Sequence, residues 1–367
     1  MTAGRISAGR PAPATETEAA GPAREIATLP IDTPDWKQFV RSQAGALGYH
    51  DPAWGLMLAE CYGFRPFVLG LFEQGTILAG LPVVETRTLR RRRRWISLPF
   101  TDHCPPLAVN ESASRELAGG LDRLRRHSSV ERLDVHAHIS GPSTFTHPAA
   151  FTHAVDLTPG STSLFAALDR SQVQRGIKRS RRDGVAISRG ERESDLTEIF
   201  YDLHLHSRRR QGVPIQPRRF FELLWRRILE PGRGFLTLAY SGRIPVAGAV
   251  FLIGRETVTY KYNASRPEFW RVRPNHALIW HAMEWACASG FRTFDFGLTH
   301  FPNRGLRDFK RRWAAHEEVL HRSVVADAAL PSRSADGLPE RALGAVIRHG
   351  PLWLCQGIGE LLYKHAA

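Results

Sequence analysis

The densest group of side chains able to do chemistry lies between Asp295 and Trp313. Asp295-Phe-Gly297 closes a β-prone run, Arg292-Thr-Phe-Asp-Phe296, and ligand clefts of α/β proteins commonly open at such strand ends. Asn303-Arg-Gly-Leu-Arg-Asp-Phe-Lys-Arg-Arg-Trp313 follows and reads as a short helix over about 304–314. On that helix Leu306, Lys310 and Trp313 share one face (i, i+4, i+7), with Phe309 beside them. Lys310 is therefore expected among buried residues, while Arg307, Arg311 and Arg312 take more solvated faces. A lysine in such a place either snorkels to water or serves as a fixed positive charge near Asp295. Only five of the 50 basic residues are lysines: Lys37, Lys178, Lys261, Lys310 and Lys364. A chain so rich in arginine that still keeps a lysine points to a site needing a compact, rotatable ammonium instead of a planar fork.

Two further clusters stand out. Tyr260-Lys-Tyr-Asn-Ala-Ser265 alternates as a strand, which puts Lys261 on the face opposite Tyr260 and Tyr262. With Asn263, Arg273 and Asn275 it makes a candidate substrate cleft, although strand tyrosines also serve as core with a satisfied hydroxyl. Arg208-Arg-Arg-Gln-Gly212 could clamp a phosphate through Arg208 or Arg210, since a guanidinium binds phosphate bidentately; a solvated charge run is the alternative. There is no GxSxG elbow, no GxxxxGK[ST] phosphate loop and no HExxH pair. His136-x-His138 and His204-x-His206 are poor metal pairs, and no metal site is expected. Cys61, Cys104, Cys287 and Cys355 lie far apart, which argues against structural zinc and disulfides and fits a reducing cytoplasm.

The elements that must position these groups follow from composition and pattern. In 367 residues, 43% are apolar and 23% charged, with a formal net charge of +14. That composition supports a globular core in about two domains. No stretch of 18 apolar residues is present, so a transmembrane helix is not expected. Residues 1–26, rich in Ala, Gly, Pro and Thr, are expected to be disordered. Phe67 to Phe72 and Thr76 to Val84 around Gly75 read as a hairpin. Phe235 to Tyr240 and Ile244 to Ile253 around Gly242 repeat it about 168 residues later, which suggests duplication. Helical patterns over Trp54–Tyr62 and Phe220–Leu229 precede the two copies. Leu164 to Ile177 predicts one helix ending at Asp183-Gly184, and Pro274 opens another that runs through Cys287 to Gly290. The expectation is a mixed α/β fold: 27–157 and 158–325 as two domains, then a linker and helical tail over 326–367. The apolar tail, 343–363, is split by Gly350-Pro351 and either docks on the body or lies on a membrane surface.

These segments in this order resemble the Fem-type branch of the GNAT acyltransferases. The resemblance is carried by Gln174-Arg-Gly-Ile-Lys-Arg-Ser-Arg-Arg-Asp-Gly184, Arg209 to Pro214, Ala239 to Gly248, Tyr260 to Ser265, Arg273-Pro-Asn-His276, Phe294-Asp-Phe-Gly297 and Gly305 to Lys310. It covers about residues 160–322, and the first domain in outline. It implies two tandem GNAT-like domains and attack by an acceptor amine on an activated acyl group. The family's Phe-Lys motif falls on Phe309-Lys310, which makes Lys310 the candidate stabiliser of the tetrahedral oxyanion. Arg208 or Arg210 then contacts an acceptor phosphate, and Tyr260, Tyr262 and Asn263 line the substrate cleft. Where ordinary GNAT enzymes hold CoA pyrophosphate on a glycine-rich turn, this chain has Trp270-Arg-Val-Arg-Pro-Asn-His276 with no glycine.

The sequence therefore predicts a cytoplasmic N-acyltransferase with no bound cofactor. Its expected donor is an aminoacyl-tRNA, with acyl-CoA as the alternative. Its expected acceptor is an amine on a cell-envelope precursor, polysaccharide or small molecule, phosphorylated or lipid-linked. The competing expectation is a non-enzymatic adaptor that binds nucleic acid or anionic membrane through Arg90–Arg94, Arg179–Arg182 and Arg208–Arg210.

Overall fold

The computed structural model describes residues 23–87, 92–329 and 338–363. Thirteen strands among them form one sheet. The first half contributes β1 (Arg24–Pro30), β2 (Arg65–Glu73), β3 (Thr76–Arg87), β4 (Arg93–Ile96), β5 (Leu107–Ala108) and β6 (Arg132–Val135). Next come β7 (Thr144–Asp156), β8 (Val185–Arg189), β9 (Gly234–Ser241), β10 (Ile244–Ile253), β11 (Thr257–Ser265), β12 (Thr293–Thr299) and β13 (His316–Ala326). The order is β1-β2-β3-β4-β6-β13-β7-β12-β11-β10-β9-β8, with β5 appended to β3.

That order contains the same array twice. β1-β2-β3-β4 and β8-β9-β10-β11 are antiparallel meanders, and each ends in a parallel pair, β4·β6 or β11·β12. A parallel pair needs a crossover, supplied by the helices Glu111–His127 and Pro274–Ala288. Both expected hairpins are present; Gly75 (φ 79°) and Gly242 (φ 61°) take the left-handed turn position that a side chain resists. At the centre the halves exchange strands. β7 follows β6 in the chain but pairs with β12, and β13 follows β12 but pairs with β6. β7 and β13 also pair with each other, closing the sheet into one unit. Boundaries at 157/158 and 325/326 fall at the ends of these exchanged strands, so each half in chain order holds a strand lying in the other's array.

Four apolar clusters form among the described residues, and three of them bear on the site. Leu81, Leu117, Leu121 and Leu133 pack under the helix Glu111–His127. Phe251, Leu278, Met283, Phe294 and Trp313 surround Pro274–Ala288. A third cluster joins the halves: Trp54, Met57 and Leu58 from the helix Pro52–Tyr62 meet Phe200, Phe220 and Phe221. The tail docks on this third cluster. Its helices, Leu338–His349 and Leu352–Tyr363, bring Ile347, Cys355 and Tyr363 into it and leave Trp353 68% exposed.

Two local expectations change. Among the described residues regular structure begins at Arg24, where Arg24 to Pro30 pairs with Phe67 to Glu73 of β2; residues 1–22 of the expected disordered segment lie outside the described residues. The single helix expected from Leu164 to Asp183 is broken at Leu168-Asp169, where the Asp169 carboxylate accepts the Gln172 N–H (2.7 Å) and restarts the helix.

Candidate active site

The second parallel pair is short. β11 and β12 are in register only from Thr257–Thr259 against Thr293–Asp295, and beyond that the strands part. Lys310, on the helix Arg304–Arg311, reaches into this seam. Its Nζ donates to the carbonyls of Gly297 (2.9 Å) and Leu298 (2.9 Å), and the residue is 4% exposed. An ammonium has three hydrogens, so one is left for a further acceptor. Burial pulls the Lys310 pKa down to about 8, opposed by Asp102 and Asp295. Burial likewise pushes Asp295 up to about 6, while the Gly297 N–H (2.8 Å) holds its carboxylate. Gly297 takes φ 67°, and a Cβ there would meet Asp102 Oδ2 at 2.7 Å, so only glycine admits both the turn and that approach.

A β-bulge shapes the facing strand. Val250 pairs with Tyr262 and Phe251 with Tyr260, which makes Lys261 the extra residue. The expectation that Tyr260 and Tyr262 share a face is overturned for this reason: the bulge flips the alternation. Tyr260 packs on Phe251 and Phe294 in one core, and Tyr262 packs on Phe220 and Phe221 in another. Lys261 goes with Tyr262. Its Nζ lies 5.1 Å from the centre of the Tyr49 ring and donates to Phe100 O (2.8 Å) and Asp102 Oδ1 (3.4 Å). The Tyr49 hydroxyl donates to Asp102 Oδ2 (3.3 Å). Leu98 (φ 45°) and Phe100 (φ 63°) hold the supporting loop in a conformation unusual for such residues. Lys261 thus ties the second half to a loop of the first.

Above this junction lies a cleft of about 750 Å³. It is lined by residues of β4, β6, β13 and β7 and by Phe100–Asp102, Lys261, Tyr262, Leu298 and Tyr363. Arg94, Arg132, Arg208, Lys261 and Arg322 line it against two carboxylates, Asp102 and Asp134. Asp134 accepts from both Arg94 (3.0 Å) and Arg132 (2.8 Å). The Thr101 hydroxyl donates to Leu98 O (2.6 Å), so it accepts from His136 Nδ1 (3.1 Å) and leaves His136 Nε2 as an acceptor. Burial keeps that imidazole neutral, its pKa well below the usual value.

The sequence-derived site residues fall in several places. Lys310 and Asp295 occupy the seam. Arg208, Lys261 and Tyr262 line the cleft, where Arg208 donates to Pro214 O (3.2 Å) and the Tyr363 hydroxyl (2.9 Å). Arg210 is elsewhere: it lies over the Trp270 ring (5.3 Å) in a separate basic pocket of about 570 Å³. Asn263 and Asn275 bond each other (3.2 Å) near Ser265, and Arg273 is the left-handed residue (φ 57°) opening the helix Pro274–Ala288. Tyr260 turns into the core, and Phe309 packs on His276 and Trp313. Leu306 is 37% exposed, contrary to expectation, because the buried face of its helix is Phe309, Lys310 and the following Trp313. Arg307 stays partly exposed, as expected, and pairs with Glu317 (2.6 Å). Sequence reasoning missed Asp102 and Arg322, whose neighbours lie far away in the chain.

The basic runs are largely engaged inside the protein. Arg179 and Arg182 pair with Asp183, Arg181 with Glu284, Arg92 with Glu131, Arg93 with Glu85, and Arg94 with Asp134. Arg90 and Arg91 lie outside the described residues. Among the described residues no group of three His, Cys, Asp or Glu could hold a metal ion. None of the described helices is long and apolar enough to cross a membrane.

Residues 169–311, which carry the seam, match the acetyltransferase (GNAT) domain family. The fold is similar to the crystal structure of FemX: TM-score 0.62 and 13% identity over 81% of this chain and 96% of that one. It is similar to the C-terminal domain of a putative lysylphosphatidylglycerol synthetase from Agrobacterium fabrum, at TM-score 0.52 and 14% identity over 80% and 91%. A third likeness is L-PGS from Bacillus licheniformis, with TM-score 0.51 and 11% identity over 87% and 96%. No curated protein matches in sequence. The chain thus carries an acetyltransferase (GNAT) domain over residues 169–311, in a fold similar to that of FemX.

Proposed function

We propose that the protein transfers an aminoacyl group from aminoacyl-tRNA to the amine of an anionic acceptor held in the central cleft. The observation that carries this reading is the Lys310 ammonium, with two hydrogens fixed on Gly297 O and Leu298 O and the third uncommitted. In the reaction the acceptor nitrogen forms a C–N bond while the carbonyl electron pair moves onto oxygen. The third hydrogen of Lys310 meets that oxyanion in a site from which water is largely excluded. Collapse of the adduct releases the ribose hydroxyl of the carrier, which takes up the proton lost by the amine. Asp102, beside Gly297, is placed to hold the acceptor's ammonium before attack. Arg208 and Lys261 add positive charge for an acidic acceptor, and Tyr262 supplies an apolar wall. One of the similar folds is by name the C-terminal domain of a putative lysylphosphatidylglycerol synthetase, and the product so named joins an amino acid to an anionic lipid.

Acyl-CoA is the second reading, and one observation favours it. The helix Pro274–Ala288 begins without a side-chain cap, and the positive end of a helix dipole suits pyrophosphate. Incubation with a set of aminoacyl-tRNAs and acyl-CoAs and several amine acceptors, followed by mass spectrometry, separates the two. An amide product formed only with aminoacyl-tRNA supports the first reading. Product only with acyl-CoA, together with micromolar CoA binding in calorimetry, selects the second. Lys310→Ala should lower kcat of either by roughly 10²–10³.

A further inference from the structure

The face of the sheet under the cleft carries a row of side chains that the transfer chemistry does not use. Arg322 on β13 pairs directly with His147 on β7. On the other side, the β13·β6 register runs from Ala326–Arg132 to Ser323–Val135, and its next step sets Arg322 beside His136. Directly paired residues point to one face, so His136, Arg322 and His147 form a row across three neighbouring strands. All three line the cleft. Strands lie about 4.8 Å apart, so the row spans the width of a small oxyanion and its neighbouring group.

The charges around this row are unbalanced. Asp134 is bonded by Arg94 and Arg132, and Asp102 by Tyr49 and Lys261. Among the described residues, Arg322 makes no hydrogen bond or ion pair of its own, though it is half-buried. Burial lowers its pKa, and the fields of Asp102 and Asp134 only partly offset this. A partly desolvated guanidinium without a partner is unfavourable in the free protein, and a bidentate oxyanion is its natural complement. Beside it, His136 Nε2 offers an acceptor for a hydroxyl or N–H of the same ligand.

We propose that Arg322, flanked by His136 and His147, is an oxyanion subsite that seats a phosphate or carboxylate of the acceptor, with a hydroxyl or amide hydrogen on His136. The proposal rests on the reading of the cleft as the acceptor site, and it moves the anion contact from Arg208 and Arg210 to a residue of the last strand. Arg208 is already bonded to Tyr363, and Arg210 faces another pocket.

The test is direct binding to the full chain, followed by calorimetry and thermal shift, with inorganic phosphate, pyrophosphate and succinate as probes. The wild type should bind at least one of them saturably and melt at a higher temperature with it. Arg322→Gln should weaken that binding tenfold or more, while its ligand-free melting temperature stays equal or rises, since an unpaired charge has been removed. Lys310→Ala should bind the same anion as the wild type. Preference for phosphate or pyrophosphate identifies a phosphorylated acceptor; preference for succinate identifies a carboxylate. Equal binding by Arg322→Gln, no saturable binding by the wild type, or a ligand-free variant melting several degrees lower would each overturn the subsite. Failure of every transfer assay would leave this measurement readable, so the two readings fall separately.

Discussion

The two parallel strand pairs of this molecule have the same topology and opposite fates. In the first half, the end of β4·β6 is stitched shut: Ser97 N–H bonds Asp134 O (2.8 Å), the Ser97 hydroxyl accepts from His136 N–H (2.7 Å), and Cys104 N–H bonds His136 O (3.0 Å). In the second half, β11·β12 stays open past Asp295, and the Gly297 and Leu298 carbonyls beyond it accept from Lys310. Duplication supplied two seams, and only the one left unsatisfied by backbone could receive a side-chain cation. The crossover helices differ in the same sense. Asn110 caps the first through the Ala113 N–H (2.9 Å), whereas the second opens on left-handed Arg273 with no side-chain cap. On the proposed reading, the closed half supports and the open half reacts.

Substitutions can break this contrast. Lys310→Ala should lower kcat by roughly 10²–10³, the usual effect of losing an oxyanion donor, and should not lower the melting temperature. Ser97→Ala, at the matching place in the closed seam, should leave kcat near wild type. Parallel kinetics and melting of the two variants check both outcomes, and equal losses would erase the difference between the seams.

Proton uptake sharpens it next. The Lys310 pKa of about 8 lies below its free value of 10.5, so transfer should fall about tenfold per pH unit above 8 as the ammonium is lost. The folded state gives up this proton before the unfolded state does, so this residue makes stability rise between pH 8 and 10.5. Asp295 behaves in reverse. Its folded pKa of about 6 exceeds 3.8, so its contribution is fully present below pH 3.8 and is lost as pH climbs through 6. Asp295→Asn should remove that slope from a plot of melting temperature against pH.

Backbone changes come after. Gly297→Ala meets both a positive φ and Asp102, and should cost about 2–3 kcal/mol in denaturant unfolding. Gly75→Ala, with nothing within 4 Å of its added carbon, should cost only about 1 kcal/mol from the backbone conformation. The smallest effects belong to the helix starts. Asn110→Ala should destabilise by about 1 kcal/mol, whereas Arg273→Gly should be neutral or stabilise by a few tenths, since glycine accepts the left-handed conformation freely.

Local spacing carried a good part of this in the sequence itself. Turn glycines between alternating runs defined both hairpins. Pro274 and Gly290 bounded the crossover helix, and the spacing of Lys310 and Trp313 called for a buried lysine. All of these depend on residues a few positions apart, where propensity and periodicity act directly. Tertiary structure alone decided the rest. The bulge at Lys261 sets Tyr260 in one core and Tyr262 in the other, which no alternation in Tyr260–Tyr262 records. The exchange of β7 and β13 is set by which sheet edge each strand can cover. Asp102 meets Lys261 across 159 positions of chain, and Arg322 joins His136 and His147 only through that exchange. Contacts closed over such distances are selected by packing of the whole sheet, and a short stretch of sequence has no energetic means of specifying them.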